Sequence, residues 1–182
     1  AALGDCRCKE ALSTITPFVN SADKKLSKLA LYAVARIASP ASASLLGAAA
    51  EKRNFIYDET GATDAYLQYT RQLSASGYSA QAEKIAEQIL KKAKTDKQIQ
   101  TRTAALKLLT DIRGANGVPL LVSAMDDHNP QYRAAALKFA EAYPGNDAVN
   151  LWVKKLKPSP SPPKSEILQM LETAGIRIGK IQ

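Results

Sequence analysis

The chain has 182 residues, of which 46% are hydrophobic, and its formal net charge is +8. This length suffices for one domain of ordinary size, and no run of 18 apolar residues occurs, which excludes a membrane-spanning helix. Aromatic residues make up only 6%, whereas alanine is abundant. Because alanine is the best helix former and lets helices pack closely, the composition predicts an all-α protein.

The basic charge balance is compatible with nucleic acid, an acidic protein or an anionic membrane surface as partner. We favour a solvated surface with more lysine than glutamate as the explanation, since lysines occur along most predicted helices. No signal peptide is visible and the chain begins at Ala1, so we expect a mature form or an excised fragment. Cys6 and Cys8 are too close to bridge each other without strain and have no histidine nearby for a zinc site, so we expect inert thiols.

Residues 1–50 show helical periodicity and are predicted to form the first repeats. Apolar residues share one face of a first helix: Leu12, Ile15, Phe18 and Val19. A second apolar stripe follows the sequence NSAD (20–23): Leu26, Leu29, Ala30, Ala33, Val34 and Ile37. Pro40 breaks that helix and suits the first turn of a third, short helix, which carries Leu45, Leu46 and Ala49.

The segment 51–63, EKRNFIYDETGAT, is polar with two aromatic residues and predicts a long connection. Phe55 and Tyr57 within it are predicted to plug a groove between helices. Residues 64–94 follow as a divergent helix pair that is split at Gly77. The second helix of this pair has a clear apolar stripe: Ala82, Ile85, Ala86, Ile89 and Leu90.

Residues 95–157 carry the two most regular helix pairs. Their first long helix is predicted to stop at Gly114, since glycine suits the left-handed position after a helix. The sequence PSPSPP (158–163) predicts a rigid linker through which no helix passes. The region 164–182 is predicted to hold a last helix, which ends at Gly175, and a frayed tail.

Residues 95–157 also match themselves when the chain is shifted by 31 positions. Asp96 then falls on Asp127, and Arg102 falls on Arg133. The apolar positions coincide as well: Ala105 with Ala136, Leu106 with Leu137, and Leu120 with Leu151. One helix pair cannot bury its apolar face alone, but a stack of pairs can. The repeat therefore predicts an α-solenoid, in which each repeat mainly contacts its neighbours.

The sequence MDDHNPQYRAAALKFA (125–140) resembles the core of a HEAT repeat, and TDKQIQTRTAALKLL (95–109) resembles a second copy. The resemblance implies a right-handed α-solenoid of about four to five HEAT-like helix pairs, which makes a single helical-repeat domain of residues 1–182. Residues 64–94 are more similar to a tetratricopeptide-like hairpin. The HEAT resemblance further implies a ladder of hydrogen bonds along the stack, formed by Asp96, Arg102, Asp127 and Arg133. Arginine suits such a ladder because it pairs with carboxylates in a bidentate manner.

The sequence DDHN contains residue types that metal sites and acid–base sites use, since the chain's single histidine, His128, follows Asp126 and Asp127. Asn129, however, is a good N-cap, and Pro130 suits the first position of a helix. A metal site needs three or four convergent ligands, and the usual catalytic motifs are absent. We therefore expect no enzyme activity, no metal and no cofactor, and a structural or solvated role for the aspartates and the histidine.

Lysines cluster near the ends of two predicted helices: Lys91, Lys92, Lys94 and Lys97, then Lys154, Lys155 and Lys157. If the repeats stack in register, these lysines form a stripe that could bind phosphate or an acidic partner. Trp152 lies where the parallel repeat has Leu121, and we expect it in the core or in the wall of a groove. Partner contacts are expected at four positions: Tyr132, Lys138, Trp152 and Lys155.

The predicted function is binding, as a non-catalytic interaction scaffold for another protein or for a neighbouring domain of the same chain. A basic helical-repeat protein that binds nucleic acid is one alternative. The sequences YRAAALKFAEAY (132–143), LWVKKLK (151–157) and KSEILQML (164–171) also resemble repeat regions of large exported bacterial proteins, some of which carry a glycoside-hydrolase-like domain. That resemblance implies a periplasmic or exported location and a further alternative, an accessory region of an enzyme whose catalytic domain lies outside this chain.

Overall fold

All regular secondary structure in residues 8–173, which the computed structural model describes, is helical. The all-α prediction is thus confirmed for this part of the chain. Cys6 and the expected frayed tail after residue 173 lie outside the described residues. No helix within 8–173 is long and apolar enough to cross a bilayer.

The chain divides into two compact units, residues 1–108 and residues 109–182. A stack of helical repeats is also held together mainly by contacts between neighbours, so this division does not decide between one repeat domain and two domains. The single domain of residues 1–182 stays a prediction. The two units are described separately below.

The first unit begins with a broken helical segment and continues with longer helices. The first segment consists of 3-10 turns at Lys9–Ala11 and Thr16–Asn20 on either side of the short helix α1, Leu12–Ile15. The helices that follow are α2 (Lys24–Ile37), α3 (Ala43–Glu51), α4 (Ala62–Ala75), α5 (Ser79–Lys92) and the start of α6 (Ile99–Arg113). Short 3-10 turns precede α3 and α6, at Pro40–Ser42 and Asp96–Gln98.

Local side chains explain where α2 and α6 begin. The backbone N–H groups of Lys25 and Leu26 donate to the carboxylate of Asp23, at 2.9 and 3.3 Å, which satisfies two of the unpaired donors at the start of α2. Thr95 and Gln98 form a capping box ahead of α6, in which each side chain pairs with the other's backbone. The starts predicted from the sequence for these two helices agree with the observed starts to within a few residues.

Helix α4 lies at the centre of the first unit, because it packs against α2, α3 and α5. The side chains with less than 2% of their surface exposed in this unit include Val34, Leu46, Tyr69, Leu73 and Ile89. The predicted apolar faces of the first two helices are partly wrong. Phe18, Leu26 and Leu29 are 44%, 37% and 54% exposed, whereas other members of the predicted α2 stripe, such as Ala30 and Ala33, are buried.

The connection between α3 and α4 turns back through two residues with left-handed backbone, Asn54 (φ 50°) and Phe55 (φ 53°). Their carbonyl groups accept hydrogen bonds of 2.6 Å from the side chains of Gln98 and Thr101, respectively. These bonds hold the strained turn in place. The Phe55 ring is buried, as predicted, whereas Tyr57 is 40% exposed and does not fill a groove.

The second unit contains the end of α6 and four further helices. The α6 helix stops at Arg113, and Gly114 adopts the left-handed conformation (φ 58°), which confirms the predicted stop. The helices that follow are α7 (Val118–Ser123), α8 (Pro130–Ala140), α9 (Asn146–Leu156) and α10 (Pro163–Thr173), with 3-10 turns at Gly114–Gly117 and Ala124–Asp126. Helix α7 packs against α8 and α9, and α10 packs against the same two helices.

Candidate functional site: a groove between three helices

The sequence DDHN forms the turn that starts α8. The Asn129 side chain accepts hydrogen bonds from the backbone N–H groups of Gln131 (2.9 Å) and Tyr132 (3.2 Å), so it is the expected N-cap. The carboxylate of Asp127 accepts from the Asn129 N–H at 2.9 Å, and the His128 side chain is 71% exposed. No group of three or more histidine, cysteine, aspartate or glutamate residues in the described part of the chain could hold a metal ion.

Arg133 is the charged centre of the second unit. Its guanidinium group forms a bidentate pair with Glu166, with both N–O distances at 2.8 Å, and it also donates to the backbone carbonyls of Asp127 and His128. This pairing raises the pKa of Arg133 and lowers the pKa of Glu166. Because Glu166 lies 33 residues after Arg133, the clamp joins α8 to α10.

The predicted ladder of Asp96, Arg102, Asp127 and Arg133 stays a prediction. Asp96 opens the 3-10 turn before α6, and Arg102 is 8% exposed. Arg133 pairs with Glu166, an acidic residue that the repeat alignment did not single out.

The four predicted contact residues differ in accessibility. Tyr132 and Trp152 are only 8% and 3% exposed, and the burial of Trp152 agrees with its expected place in a core or groove wall. A partner contact at either residue stays a prediction. Lys138 is exposed. The Lys155 side chain is 17% exposed and forms an ion pair of 2.5 Å with Asp126, which gives that aspartate a structural partner.

A concave site in the first unit is a groove between α3 and α5, with α4 beneath it. At one end, the Gln81 side-chain amide in the first turn of α5 donates to the carbonyl of Pro40, just before α3, at 3.1 Å. At the other end, the last residues of the two helices, Glu51 and Lys92, form an ion pair of 2.6 Å. Because starts and ends are paired in this way, α3 and α5 run parallel.

The groove encloses a cavity of about 270 Å³, and most of its walls are apolar. The lining residues that matter below are Gly47 and Ala48 on α3, Ile85 and Ile89 on α5, and Phe55. The ammonium group of Lys92 lies 5.9 Å from the centre of the Phe55 ring, close enough for a cation–π contact.

Tyr66 forms the floor of this groove. The residue is 6% exposed, and its ring stacks against Tyr69 with the centroids 6.4 Å apart. The absence of a side chain at Gly47 leaves room for the Tyr66 hydroxyl, because a Cβ on that glycine would lie 3.1 Å from the hydroxyl oxygen. Burial, followed by the nearby Glu51 carboxylate, raises the pKa of Tyr66 to about 12.

The hydroxyl group of Tyr66 differs from that of its neighbour. The Tyr69 hydroxyl donates to the Ser39 carbonyl at 3.0 Å. Within residues 8–173, no side chain or backbone group pairs with the Tyr66 hydroxyl, which faces the groove. The Tyr66 hydroxyl is not among the buried polar atoms that lack a partner, so water in the open groove can bind it.

Sequence reasoning did not find this groove. Gly47 and Tyr66 lie on different helices and belong to no motif, so only the packing of α3 on α4 brings them together. The one useful signal was Phe55, which was predicted to fill a groove between helices. Comparison with protein-family models, curated proteins and solved structures finds no similar protein.

Proposed function

We propose that the chain is an interaction scaffold, a helical-repeat module that binds a segment of another protein or of a neighbouring domain. The observation that carries this proposal is the groove between α3 and α5. It is open and mostly apolar, as grooves that bind peptide segments are, and side-chain contacts join α3 to α5 at both of its ends.

The proposed architecture behind this function is a right-handed α-solenoid of HEAT-like helix pairs. The match between residues 95–126 and 126–157 supports it, as does the packing of the successive helices α4 and α5 in the first unit. Solenoids commonly present grooves between parallel helices of successive repeats, because each repeat contributes one helix to each layer.

A peptide-display selection against the immobilised chain tests the proposed function. Peptides that the wild-type chain enriches are then compared on Gly47→Leu, whose larger side chain fills the groove above Tyr66. The matched control is Ala80→Leu, which adds the same side chain at an exposed position in the first turn of α5. We expect binding to Ala80→Leu and little or none to Gly47→Leu. Peptides that bind all three proteins equally, or no enrichment at all, would contradict the proposal.

Binding of nucleic acid is the second candidate, and one observation favours it. Lys91, Lys94 and Lys97 are all exposed near the end of α5, so this edge of the first unit carries a cluster of positive charge. Phosphate contacts of this kind produce binding that weakens steeply with salt, which distinguishes the two candidates.

A further inference from the structure

We propose that the exposed face of α2 is a docking surface for an acidic amphipathic helix of another protein. None of the residues of α2 lines the groove between α3 and α5. The face of α2 is therefore a binding surface separate from the one proposed above. Its apolar side chains, its positive charge and a preordered tyrosine carry the inference.

Large apolar side chains project from α2 into solvent. Leu26, Leu29 and Tyr32 are 37%, 54% and 37% exposed, and they follow one another at intervals of three residues. Residues three apart are neighbours on a helix surface, so these side chains form a ridge that runs obliquely along α2. A single exposed leucine needs no explanation, whereas a row of three large apolar side chains is a surface that another helix can cover.

The charge along this ridge is positive. Helix α2 contains no acidic residue and four cationic ones: Lys24, Lys25, Lys28 and Arg36. Lys25 and Lys28 are exposed and lie beside the ridge. Two carboxylates near the start of α2 already have partners, since Asp23 caps the helix and Glu59 pairs with Lys24. A partner that carries carboxylates beside its own apolar face therefore matches this surface in charge.

Tyr32 is already ordered for such a contact. Its hydroxyl accepts a hydrogen bond of 3.1 Å from the guanidinium group of Arg36, which also lies 5.6 Å from the centre of the tyrosine ring. A side chain that is fixed before binding loses little conformational entropy when a partner covers it. Tyrosine and arginine are also among the residue types that are enriched at protein interfaces.

The combination of side chains favours a protein helix over a polyanion or a bilayer. Contacts to the phosphates of DNA use cations alone and leave an apolar ridge in water. Helices that lie in a bilayer surface bury a wide apolar face by roughly 5–10 Å. The wide apolar face of α2 is used within the unit, where it packs against α4, so solvent meets only a ridge one side chain wide. A partner helix fits such a ridge, because helices pack ridges into grooves.

The probe for this surface is a labelled helical peptide of about 18 residues, with leucines along one face and glutamates on both sides of that face. Fluorescence anisotropy measures its affinity for the full chain at low salt. Leu29→Gln should weaken binding by about fivefold, because it removes apolar surface that the peptide buries. Reversal of both charges, Lys25→Glu with Lys28→Glu, should weaken binding by about tenfold, and this loss should shrink as salt is added.

The matched controls lie elsewhere in the same unit. Tyr78→Gln replaces an apolar residue that is 43% exposed, and Lys84→Glu reverses the charge of an exposed lysine on α5. Neither should change the affinity by more than about twofold. A peptide with lysines in place of the glutamates should bind at least about tenfold more weakly.

Three results would overturn the proposal. The first is no binding of the glutamate peptide at about 1 mM. The second is an equal loss of affinity in Leu29→Gln and Tyr78→Gln, which would place the peptide on another surface. The third is binding of phosphatidylserine vesicles that Leu29→Gln abolishes while the peptide does not bind, which would assign the face of α2 to a membrane surface.

Discussion

Tyr66 and Tyr69, which stack on each other on α4, differ in the hydrogen bonding of their hydroxyl groups. The Tyr69 hydroxyl donates to the Ser39 carbonyl, while that of Tyr66 faces the groove. Removal of a hydrogen-bonded hydroxyl leaves its partner unpaired and costs about 1 kcal/mol, whereas removal of an unpaired one costs little. We therefore expect Tyr69→Phe to lower the free energy of unfolding by about 1 kcal/mol and Tyr66→Phe to change it by less than about 0.5 kcal/mol. Urea unfolding at neutral pH measures both, and equal losses would show that Tyr66 has a partner.

The pair of Arg133 and Glu166 should make the second unit's stability depend on pH. The guanidinium hydrogen bond holds the pKa of Glu166 below its ordinary value of 4.5, although partial burial opposes this shift. A carboxyl whose folded pKa is lowered stabilises the fold at pH values above its unfolded pKa, and the stabilisation is lost as the pH falls through the folded pKa. Glu166→Ala should therefore cost about 2 kcal/mol at neutral pH, since it leaves the buried Arg133 group without its carboxylate.

This cost should shrink as the pH falls below 4.5, because protonated Glu166 no longer forms the pair. Glu172→Ala is the matched control, since Glu172 is exposed on the same helix. It should change the free energy of unfolding by no more than about 0.5 kcal/mol. Fluorescence of Trp152, which is buried in the same unit, follows the unfolding. A loss for Glu166→Ala that does not change with pH would contradict an ionic role for this carboxylate.

At the scale of elements, the 3-10 turn Gly114–Gly117 lies directly on the end of α6. A Cβ on Gly117 would lie 2.9 Å from the Thr110 Cα and 3.1 Å from its carbonyl oxygen, which are backbone atoms that cannot move independently of the helix. Gly117→Ala should therefore force the turn away from α6 and cost about 1–3 kcal/mol, as overpacked sites do. Asn116→Ala, at an exposed position of the same turn, is the control and should be nearly neutral. Chemical denaturation checks both variants, and a neutral Gly117→Ala would show that the turn is free to shift.

The sequence predicted the elements better than the faces that they bury. Helix ends that depend on local chemistry, such as Gly114 and the N-cap Asn129, were predicted correctly because they follow from one residue's conformation or hydrogen bonds. The prediction of the buried face of α2 was partly wrong. Alanine and leucine are both apolar, and only the packing of the helices decides which of these side chains contacts a neighbouring helix. Leu29 is 54% exposed, and Ala33 is 5% exposed.

The site was harder to predict for the same reason. The 31-residue repeat pointed to Asp127 and Arg133, but Glu166 on α10 completes the clamp. The positions 31 residues after Asp127 and Arg133 hold Pro158 and Lys164, so the repeat does not point to Glu166. The groove depends on Gly47 and Tyr66, which are 19 positions apart and meet only after α3 packs on α4. A contact that has no fixed spacing leaves no pattern in one sequence.

At the scale of the whole molecule, the net charge of +8 coexists with a groove between α3 and α5 whose charged lining residues, Glu51 and Lys92, pair with each other. Lys24, Lys92 and Lys155 are each paired with a carboxylate of the same unit, at Glu59, Glu51 and Asp126. Other lysines, such as Lys94 and Lys138, are exposed. Any attraction to polyanions therefore arises at surfaces other than the groove, so the two kinds of binding should respond differently to salt.

Duplex DNA and a neutral peptide enriched in the display selection, used as a probe of the groove, distinguish these surfaces in one titration. Between about 50 mM and about 200 mM salt, a protein that makes 6–10 phosphate contacts loses about 10³- to 10⁵-fold in DNA affinity, because counterions compete for the phosphates. Binding of a neutral probe in an apolar groove should change by less than about twofold over the same range, since screening acts on charges. We expect any DNA binding, measured by fluorescence anisotropy, to disappear at the higher salt while the probe still binds. DNA that displaces the probe at low salt, or a probe affinity that falls as steeply as that for DNA, would place the polyanion at the groove and favour nucleic acid as the partner.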